Sequence, residues 1–192
     1  MINWFMAAKL GHHFLAEILQ PGHRAVDGTM GNGHDTLLLA KLVGSGGKVY
    51  AFDIQEQALA NTRQRLASEG VLDERVTLIP DGHQNIKKYI HHPIQGAIFN
   101  LGYLPGGNHE IITRTGSTLT AIEHTLELLS SGGRLVIVVY PGHAGGREEK
   151  EAVETMVSQL VSHTYKVVKV NFLNRPPSAP GVLLIEKAGD SM

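Results

Sequence analysis

The sequence of 192 residues contains no cysteine and carries a formal net charge of only −1. Disulfide bonds, thiolate metal ligands and a cysteine nucleophile are thereby excluded, and without a basic-then-apolar leader we expect a cytoplasmic protein. No apolar run approaches the roughly 20 residues that a membrane-spanning helix needs, so we expect no membrane insertion. Without excess positive charge, binding to nucleic acid would depend on a local basic patch.

Histidine is abundant, with 11 residues, but its spacing does not indicate a metal site. His12–His13 and His91–His92 are adjacent pairs, and no HExxH arrangement places two ligands on one helix face. We therefore predict no bound metal, and we expect most of these histidines on the surface or in loops.

Apolar segments alternate with amphipathic ones, without repeats or a linker. The predicted strands are Arg24 to Asp27, Lys48 to Asp53, Val76 to Pro80, Gly96 to Asn100, Arg134 to Tyr140, Lys166 to Leu173 and Gly181 to Glu186. The predicted helices are Asp35 to Val43, Gln55 to Glu69, His83 to Ile90, Thr115 to Leu129 and Arg147 to Ser162. Strand followed by helix, five times, predicts one α/β domain over residues 1–192, with a mostly parallel seven-stranded sheet covered on both faces.

The two ends of the chain depart from this alternation. The last two strands are joined by residues 174–180, which contain three prolines and no helical pattern, so we predict a C-terminal antiparallel hairpin. Residues 1–22 predict an amphipathic helical extension, broken or bent at Gly11. Its apolar residues, which include Trp4 and Phe5, can cap the sheet or meet a second subunit, and we expect a homodimer.

The stretch AVDGTMGNGHDT, residues 25–36, places glycines and two carboxylates between a strand and a helix. Such a turn brings backbone close to a ligand, and the helix start binds anionic atoms. The dinucleotide fingerprint G-x-G-x-x-G fails because Thr36 stands where the third glycine belongs. Asp27 and Asp35 would also repel a pyrophosphate. A ligand with an ammonium and a sulfonium beside a carboxylate fits both features, which predicts S-adenosylmethionine as the cofactor.

Two further acids follow the next predicted strands. Asp53 lies about 20 residues beyond the glycine-rich turn, where a carboxylate can bind both ribose hydroxyls. Asp81 follows the third strand, where an acid and neighbouring backbone can hold the adenine amino group. The alternative is that Asp27 only ends a strand, Asp35 only caps a helix and the glycines only form a turn. Acids at three successive strand ends favour the cofactor interpretation.

The segment NLGYLPGGNH follows the fourth strand, the strand end that faces the transferable methyl group in a methyltransferase sheet. The Asn100 oxygen can accept the N–H of an amine, and the Tyr103 ring can stack on a base, although turn formation and packing are the alternative roles. An alkyl amine, with a pKa near 10, must lose a proton before it attacks. His143 and His109 are candidate acceptors, with Tyr103 or Tyr140 as alternatives. We predict Asn100, Tyr103 and His143 as catalytic residues.

Taken together, AVDGTMGNGHDT, FDIQ, DGHQN, NLGYLPGGNH and VVYPGHAGG resemble the small class I S-adenosylmethionine-dependent methyltransferases labelled "putative rRNA methylases". Some members of that family methylate the aminomethyl group of wobble 5-aminomethyl-2-thiouridine in tRNA. The resemblance extends from about Gly11 to Lys187, and it implies a class I methyltransferase (Rossmann-like) fold. The proline-rich segment 174–180 departs from the expected pattern, which leaves substrate contacts there unassigned.

The resemblance also implies which residues contact the cofactor. By position, it assigns Asn32 and Asp35 to the methionine part, Asp53 and Gln55 to the ribose, and Gly82 with His83 to the adenine side. The full set of predicted cofactor-binding residues is Asp27, Gly28, Thr29, Gly31, Asn32, Gly33, Asp35, Thr36, Asp53, Ile54, Gln55, Asp81, Gly82, His83 and Asn100.

The leading functional hypothesis is N-methylation of the aminomethyl nitrogen of wobble 5-aminomethyl-2-thiouridine, with the anticodon region of tRNA as partner. An rRNA or small-amine methyltransferase is the second hypothesis, and a nucleotide-binding regulator without turnover is the third. The missing third glycine disfavours a dehydrogenase. The basic residues available for RNA are scattered along the chain: Lys87, Lys88, Arg114, Arg147, Lys150 and Arg175.

Overall fold

A computed structural model of the chain describes residues 6–102, 104, 106 and 112–189. The strands are β1 (Arg24–Asp27), β2 (Lys48–Phe52), β3 (Val76–Ile79), β4 (Ile94–Leu101), β5 (Leu129–Val139), β6 (Tyr165–Val170) and β7 (Gly181–Lys187). They form one seven-stranded sheet in the order β3-β2-β1-β4-β5-β7-β6. β1 to β5 pair in parallel, whereas β7 is antiparallel to both β5 and β6. The predicted parallel sheet and its C-terminal antiparallel hairpin are therefore confirmed.

This topology decides which residues can meet. Parallel strands present their carboxyl ends at one edge of a sheet, and a ligand binds there in folds of this kind. Since β6 is antiparallel to β7, which is antiparallel to β5, β6 also ends at that edge. Asp27, the last residue of β1, and Asn100, near the end of β4, lie on neighbouring strands at this edge.

Helices cover both faces of the sheet. They are α1 (Ala7–Ala16), α2 (His34–Val43), α3 (Glu56–Ser68), α4 (Ile86–Tyr89), α5 (Thr115–Leu128) and α6 (Gly146–Ser158). α1, α2 and α3 pack on one face, in a core that contains Ile98 and Val136. α4, α5 and α6 pack on the other face, in a core that contains Phe99 and Ile137. Successive strand residues thus enter different cores, as the two-residue period of a strand requires.

Some predicted element ends differ from the structure. Residues 83–90 form a 3₁₀ turn, His83–Asn85, followed by the short α4 rather than one helix. β5 begins at Leu129, five residues before the predicted start at Arg134, because the polar residues 130–133 also belong to the strand. Its register with β4 shifts between Ile94 and Gly96. Among the described residues, no helix is long and apolar enough to cross a membrane.

The sequence predicts that the first helix is broken or bent at Gly11, and it is not broken there. α1 continues through Gly11, which is buried against β5. A Cβ atom at this position would lie 2.8 Å from Val136 Cγ1, closer than side chains approach one another. Gly11 therefore allows α1 to pack closely on the sheet. In sequence, a glycine with this role cannot be distinguished from one that breaks a helix.

The other end of α1 is held by Arg134 in β5. Arg134 Nη1 donates to the Phe14 carbonyl at 2.8 Å and to Glu17 Oε2 at 2.6 Å, while its Nε donates to Glu186 at 2.8 Å. These bonds lie near the start of the parallel part of β5, whereas Gly11 lies beside Val136, further along the strand. α1 therefore runs antiparallel to β5, and its amino-terminal part points toward the ligand-binding edge.

Candidate functional site

Residues 28–33 form a glycine-rich loop between β1 and α2, and α3 holds it in place. Gly33 has a φ of 76° and precedes the first residue of α2. A Cβ there would lie 2.8 Å from the Thr62 backbone. Thr62 Oγ1 donates to the Gly31 carbonyl at 3.0 Å, and Arg65 Nε donates to the Asn32 carbonyl at 2.6 Å. Side chains of α3 thus hold the loop in place.

Asp27 is fully buried at the end of β1. Its carboxylate accepts hydrogen bonds from Thr36 Oγ1 at 2.6 Å and from the Thr29 backbone N–H at 3.1 Å. Burial, and then the negative charge of Asp35, raise the pKa of Asp27 to about 8. Two neighbouring carboxyl groups with little access to water make this place favourable for a positively charged ligand group.

Asp53 follows β2 and joins it to the glycine-rich loop. Its two oxygens accept the backbone N–H of Gly31 at 3.1 Å and of Gln55 at 3.0 Å. Burial raises the pKa of Asp53 in spite of these hydrogen bonds. Ile54, between Asp53 and Gln55, is 64% exposed. An exposed large apolar side chain beside a half-buried carboxylate is available to cover a ligand at this edge.

Asp35, the second residue of α2, connects three elements. Its Oδ2 accepts a hydrogen bond from Asn100 Nδ2 of β4, and its Oδ1 accepts one from His12 Nε2 of α1. The backbone N–H of Asn100 donates to Thr29 Oγ1 at 2.7 Å. The candidate catalytic asparagine is therefore bound to the glycine-rich loop through its backbone and to α2 through its side chain.

His83 lies in the 3₁₀ turn after β3 and contacts the backbone of the glycine-rich loop. Its Nδ1 donates to the Gly28 carbonyl at 3.0 Å, and its ring packs edge-on against Phe99 with 5.6 Å between centroids. Burial lowers the pKa of His83, so the neutral ring is favoured. Its Nε2 is buried and has no hydrogen-bond partner in the part of the chain that the structure describes.

Asp81 is less directly connected to the site. Its carboxylate accepts hydrogen bonds from the Gly82 backbone at 2.7 Å, Asn85 Nδ2 at 2.8 Å and Tyr89 Oη at 2.9 Å. Burial raises the pKa of Asp81, but the hydrogen bonds from Asn85 and Tyr89 outweigh it and the net shift is downward. These partners all belong to residues 82–89, so the bonds tie Asp81 to its own segment instead of the glycine-rich loop.

His143, in the loop after β5, lies beside the end of β4. Its Nε2 is 3.5 Å from the position that a Cβ on Gly102 would occupy, two residues beyond Asn100. Its Nδ1 donates to the Ala144 carbonyl at 2.9 Å, so in the neutral ring the Nε2 carries the lone pair. Burial, and then the charge of Asp35, raise the pKa of Tyr140. The predicted residues Tyr103 and His109 lie outside the described residues.

Three groups of site residues were missed by the sequence analysis. His12 occurs on an amphipathic helix, where a histidine usually indicates a surface position. Thr62 and Arg65 of α3 contact loop carbonyls, and only their helical spacing hints that they share a face. Glu149 in α6 is buried and accepts hydrogen bonds from Thr113 and Thr118, both at 2.6 Å. Among the described residues, no three histidine or acidic side chains are grouped so that they could hold a metal ion.

Comparison with known proteins places this geometry in a family. A family model described as "Putative rRNA methylase" matches residues 49–186. The "tRNA (mnm(5)s(2)U34)-methyltransferase, chloroplastic" of Arabidopsis thaliana is 39% identical over 179 residues, or 88% of this chain. The chain spans 65% of the length of that plant protein.

Two solved structures resemble the chain over nearly its whole length. A crystal structure titled "putative rRNA-methylase" from Clostridium thermocellum has a TM-score of 0.92 and 42% identity, and the match covers 94% of this chain and 97% of that one. A "putative methyltransferase" from Streptococcus mutans, solved in complex with SAH, has a TM-score of 0.88 and 45% identity, with 97% and 99% covered. The fold is that of the class I methyltransferases, and the chain belongs to the "putative rRNA methylase" family.

Proposed function

We propose that the chain is an S-adenosylmethionine-dependent methyltransferase that acts on RNA. Its substrate, in this proposal, is the aminomethyl nitrogen of a wobble 5-aminomethyl-2-thiouridine in tRNA. The observation that carries the proposal is one hydrogen-bonded assembly at the edge of the sheet. It joins the glycine-rich loop, the buried Asp27 and the Asp35–Asn100 pair.

The residues present fit the methyl donor. Asp27 and Asp35 offer negative charge where an ammonium and a sulfonium would relieve the burial of two carboxyl groups. We assign Asp53, which accepts backbone N–H groups just after β2, to the ribose hydroxyls. We assign Gly82 and His83, which follow β3, to the adenine side of the donor. The SAH complex of the Streptococcus mutans relative supports this assignment.

Asn100 is suited to orient an amine. An ionised carboxylate only accepts hydrogen bonds, so the amide group that contacts Asp35 is the Nδ2–H₂ group. The Oδ1 atom therefore faces away from Asp35 and can accept an N–H of the incoming amine. When bound, the donor supplies a methyl group made electrophilic by its sulfonium. Holding the amine lone pair in line with that methyl group is the main catalytic contribution that the chain can make.

The amine must also lose a proton, because an alkylammonium has no lone pair. His143 is the better placed of the described candidates, since its Nε2 carries the lone pair in the neutral ring and lies beside Gly102. Tyr140 is less suitable, because the upward shift of its pKa disfavours the phenolate near neutral pH. We therefore assign proton acceptance to His143 in this proposal.

The choice of tRNA rests on the relatives. The plant relative, which matches 88% of this chain, is named for modification of position U34 of tRNA. The family description instead names rRNA, which keeps rRNA as the second candidate.

The proposal is tested by incubation of the protein with labelled donor and three acceptors: tRNA that carries the unmethylated aminomethyl nucleoside, small ribosomal subunits and a free alkylamine. Nucleosides are then analysed by mass spectrometry. We expect one added methyl group on the tRNA wobble nucleoside alone. Methylation of ribosomal RNA alone would overturn the tRNA assignment. Donor binding without turnover on any acceptor would favour a non-catalytic regulator.

A further inference from the structure

α1 places His12 within the proposed active site. The His12 and Asp35 side chains are only 13% and 10% exposed, and their contact joins residues 23 positions apart in the chain. Because Gly11 packs against Val136, the helix lies close enough to the sheet for His12 to reach α2. A contact held in this way depends on the packing of the whole helix and is more than a surface ion pair.

The contacts of Asp35 define what His12 does. A carboxylate accepts hydrogen bonds, so His12 contacts it through an Nε2–H group, which fixes the tautomer of a neutral ring. The other oxygen of Asp35 accepts the amide of Asn100. His12 thus acts on Asn100 through one shared carboxylate. If His12 is removed, Asp35 can rotate and the Asn100 amide loses its fixed orientation.

We propose that His12 is a positioning residue for methyl transfer, which holds Asp35 so that the Oδ1 atom of Asn100 faces the acceptor amine. This inference rests on the proposed function of Asn100. It assigns α1 a part in catalysis in addition to its packing role.

The charged and titratable groups around this pair come from several elements. His34 and Lys9 interact electrostatically near it, with Arg65 on the α3 side. Besides burial, the negative charge of Asp35 raises the pKa of both Asp27 and Tyr140. A change in activity with pH would therefore report on all of these groups, so the decisive measurements use substitutions at one pH.

The test compares His12→Ala with His12→Gln and with His13→Ala. Glutamine can donate an N–H to Asp35 from a similar distance along its side chain, whereas alanine cannot. His13 is the neighbouring histidine on the same helix and contacts Glu17 at 3.2 Å, away from Asp35. We expect His12→Ala to lower kcat by about 10- to 100-fold, with much smaller changes in donor Kd and thermal midpoint. His12→Gln should recover most of that loss, and His13→Ala should behave as wild type.

A second measurement does not need turnover. The side-chain amide signals of Asn100 are followed by ¹⁵N NMR in the donor-bound protein. We expect them to shift in His12→Ala and to stay in place in His13→Ala. Unchanged Asn100 signals, or wild-type kcat in His12→Ala, would overturn the role of His12. If the wild-type protein methylates no RNA, but the Asn100 signals still shift in His12→Ala, only the proposed function is overturned.

Discussion

The two halves of the proposed site are built differently. The donor half, residues 24–55 with His83, is closely hydrogen-bonded: Asp27 is buried, and the backbone of the loop is held by Thr62 and Arg65. The acceptor half, residues 100–102, 140–150 and 171–180, is open. Leu173 is 101% exposed, and Arg147 and Arg175 are exposed as well. The donor is small and is the same in every reaction, so a preformed site can bind it. A large RNA needs an accessible surface.

Asn100 stands at the boundary between the two halves, so its substitution gives the largest expected effect. We expect Asn100→Ala to lower kcat by about 100-fold or more, because the amine is no longer held in line with the methyl group. Donor Kd should change only a few-fold, since the buried carboxylates and His83 remain. Single-turnover assays and calorimetry measure the two quantities. A large loss of donor affinity with unchanged kcat would move Asn100 into the donor half.

Asp27 tests the donor half by itself. We expect Asp27→Asn to weaken donor binding by at least about 30-fold, equivalent to about 2 kcal/mol, because a bound ammonium favours the ionised form of the Asp27 carboxyl and an amide cannot supply that charge. Asp73→Asn is the matched control, since Asp73 is exposed and pairs with Arg75 at 2.7 Å. Calorimetry measures both. Equal affinities for the two variants would show that Asp27 does not face the positive groups of the donor.

The same substitution should stabilise the fold without ligand. The pKa of Asp27 is raised to about 8 by burial and by Asp35, so the folded chain binds more protons than the unfolded chain from the ordinary carboxyl pKa up to pH 8. Stability should therefore fall as pH rises through that window. We expect Asp27→Asn to raise the free energy of unfolding at pH 8 by at least about 1 kcal/mol, since one pKa unit corresponds to about 1.4 kcal/mol. Urea denaturation at pH 5 and pH 8 measures the free energy of unfolding of both proteins. A wild-type free energy of unfolding that does not change with pH would contradict this prediction.

Gly33 tests how rigid the donor half is. Alanine at Gly33 would adopt a φ of 76° and place its Cβ 2.8 Å from the Thr62 backbone. Gly70 has a similar φ of 67° with no atom within 4 Å of such a Cβ, so Gly70→Ala measures the backbone strain alone. We expect Gly33→Ala to lower stability by about 1–3 kcal/mol more than Gly70→Ala. Equal thermal midpoints for the two variants would mean that α3 moves aside without cost.

Arg147 tests the acceptor half, with the smallest expected effect. It lines a groove of about 290 Å³ next to the loop that carries His143, where Arg147 and Lys150 are accompanied by two acids, Glu151 and Glu154. We expect Arg147→Gln to raise the KM for tRNA by a few-fold and to reduce the salt dependence of binding by about one counterion. Lys41→Gln is the control, because Lys41 pairs with Glu69 at 2.8 Å on the α2–α3 side. An identical salt dependence in both variants would remove this groove from the RNA surface.

The sequence indicates more residues of the proposed donor half than of the proposed acceptor half, for a physical reason. Strand ends, glycines and acids are local features, so Asp27, Gly33 and Asp53 are found from their spacing alone. His12 cannot be found in this way, because its partner is 23 residues away and depends on the path of α1. The misread Gly11 has the same origin, since a glycine that permits close packing looks like one that ends a helix.

The position of α1 has a consequence for how the protein acquires activity. Phe14 and Arg134 are separated by 120 residues along the chain, yet they form the bond that fixes the helix on β5. Contacts between such distant residues form late, because a long loop must close before they are gained. During synthesis, α1 and its His12 could dock only after β5 and β7 have emerged from the ribosome. The proposed site would therefore be complete only when α1 docks onto β5 and β7.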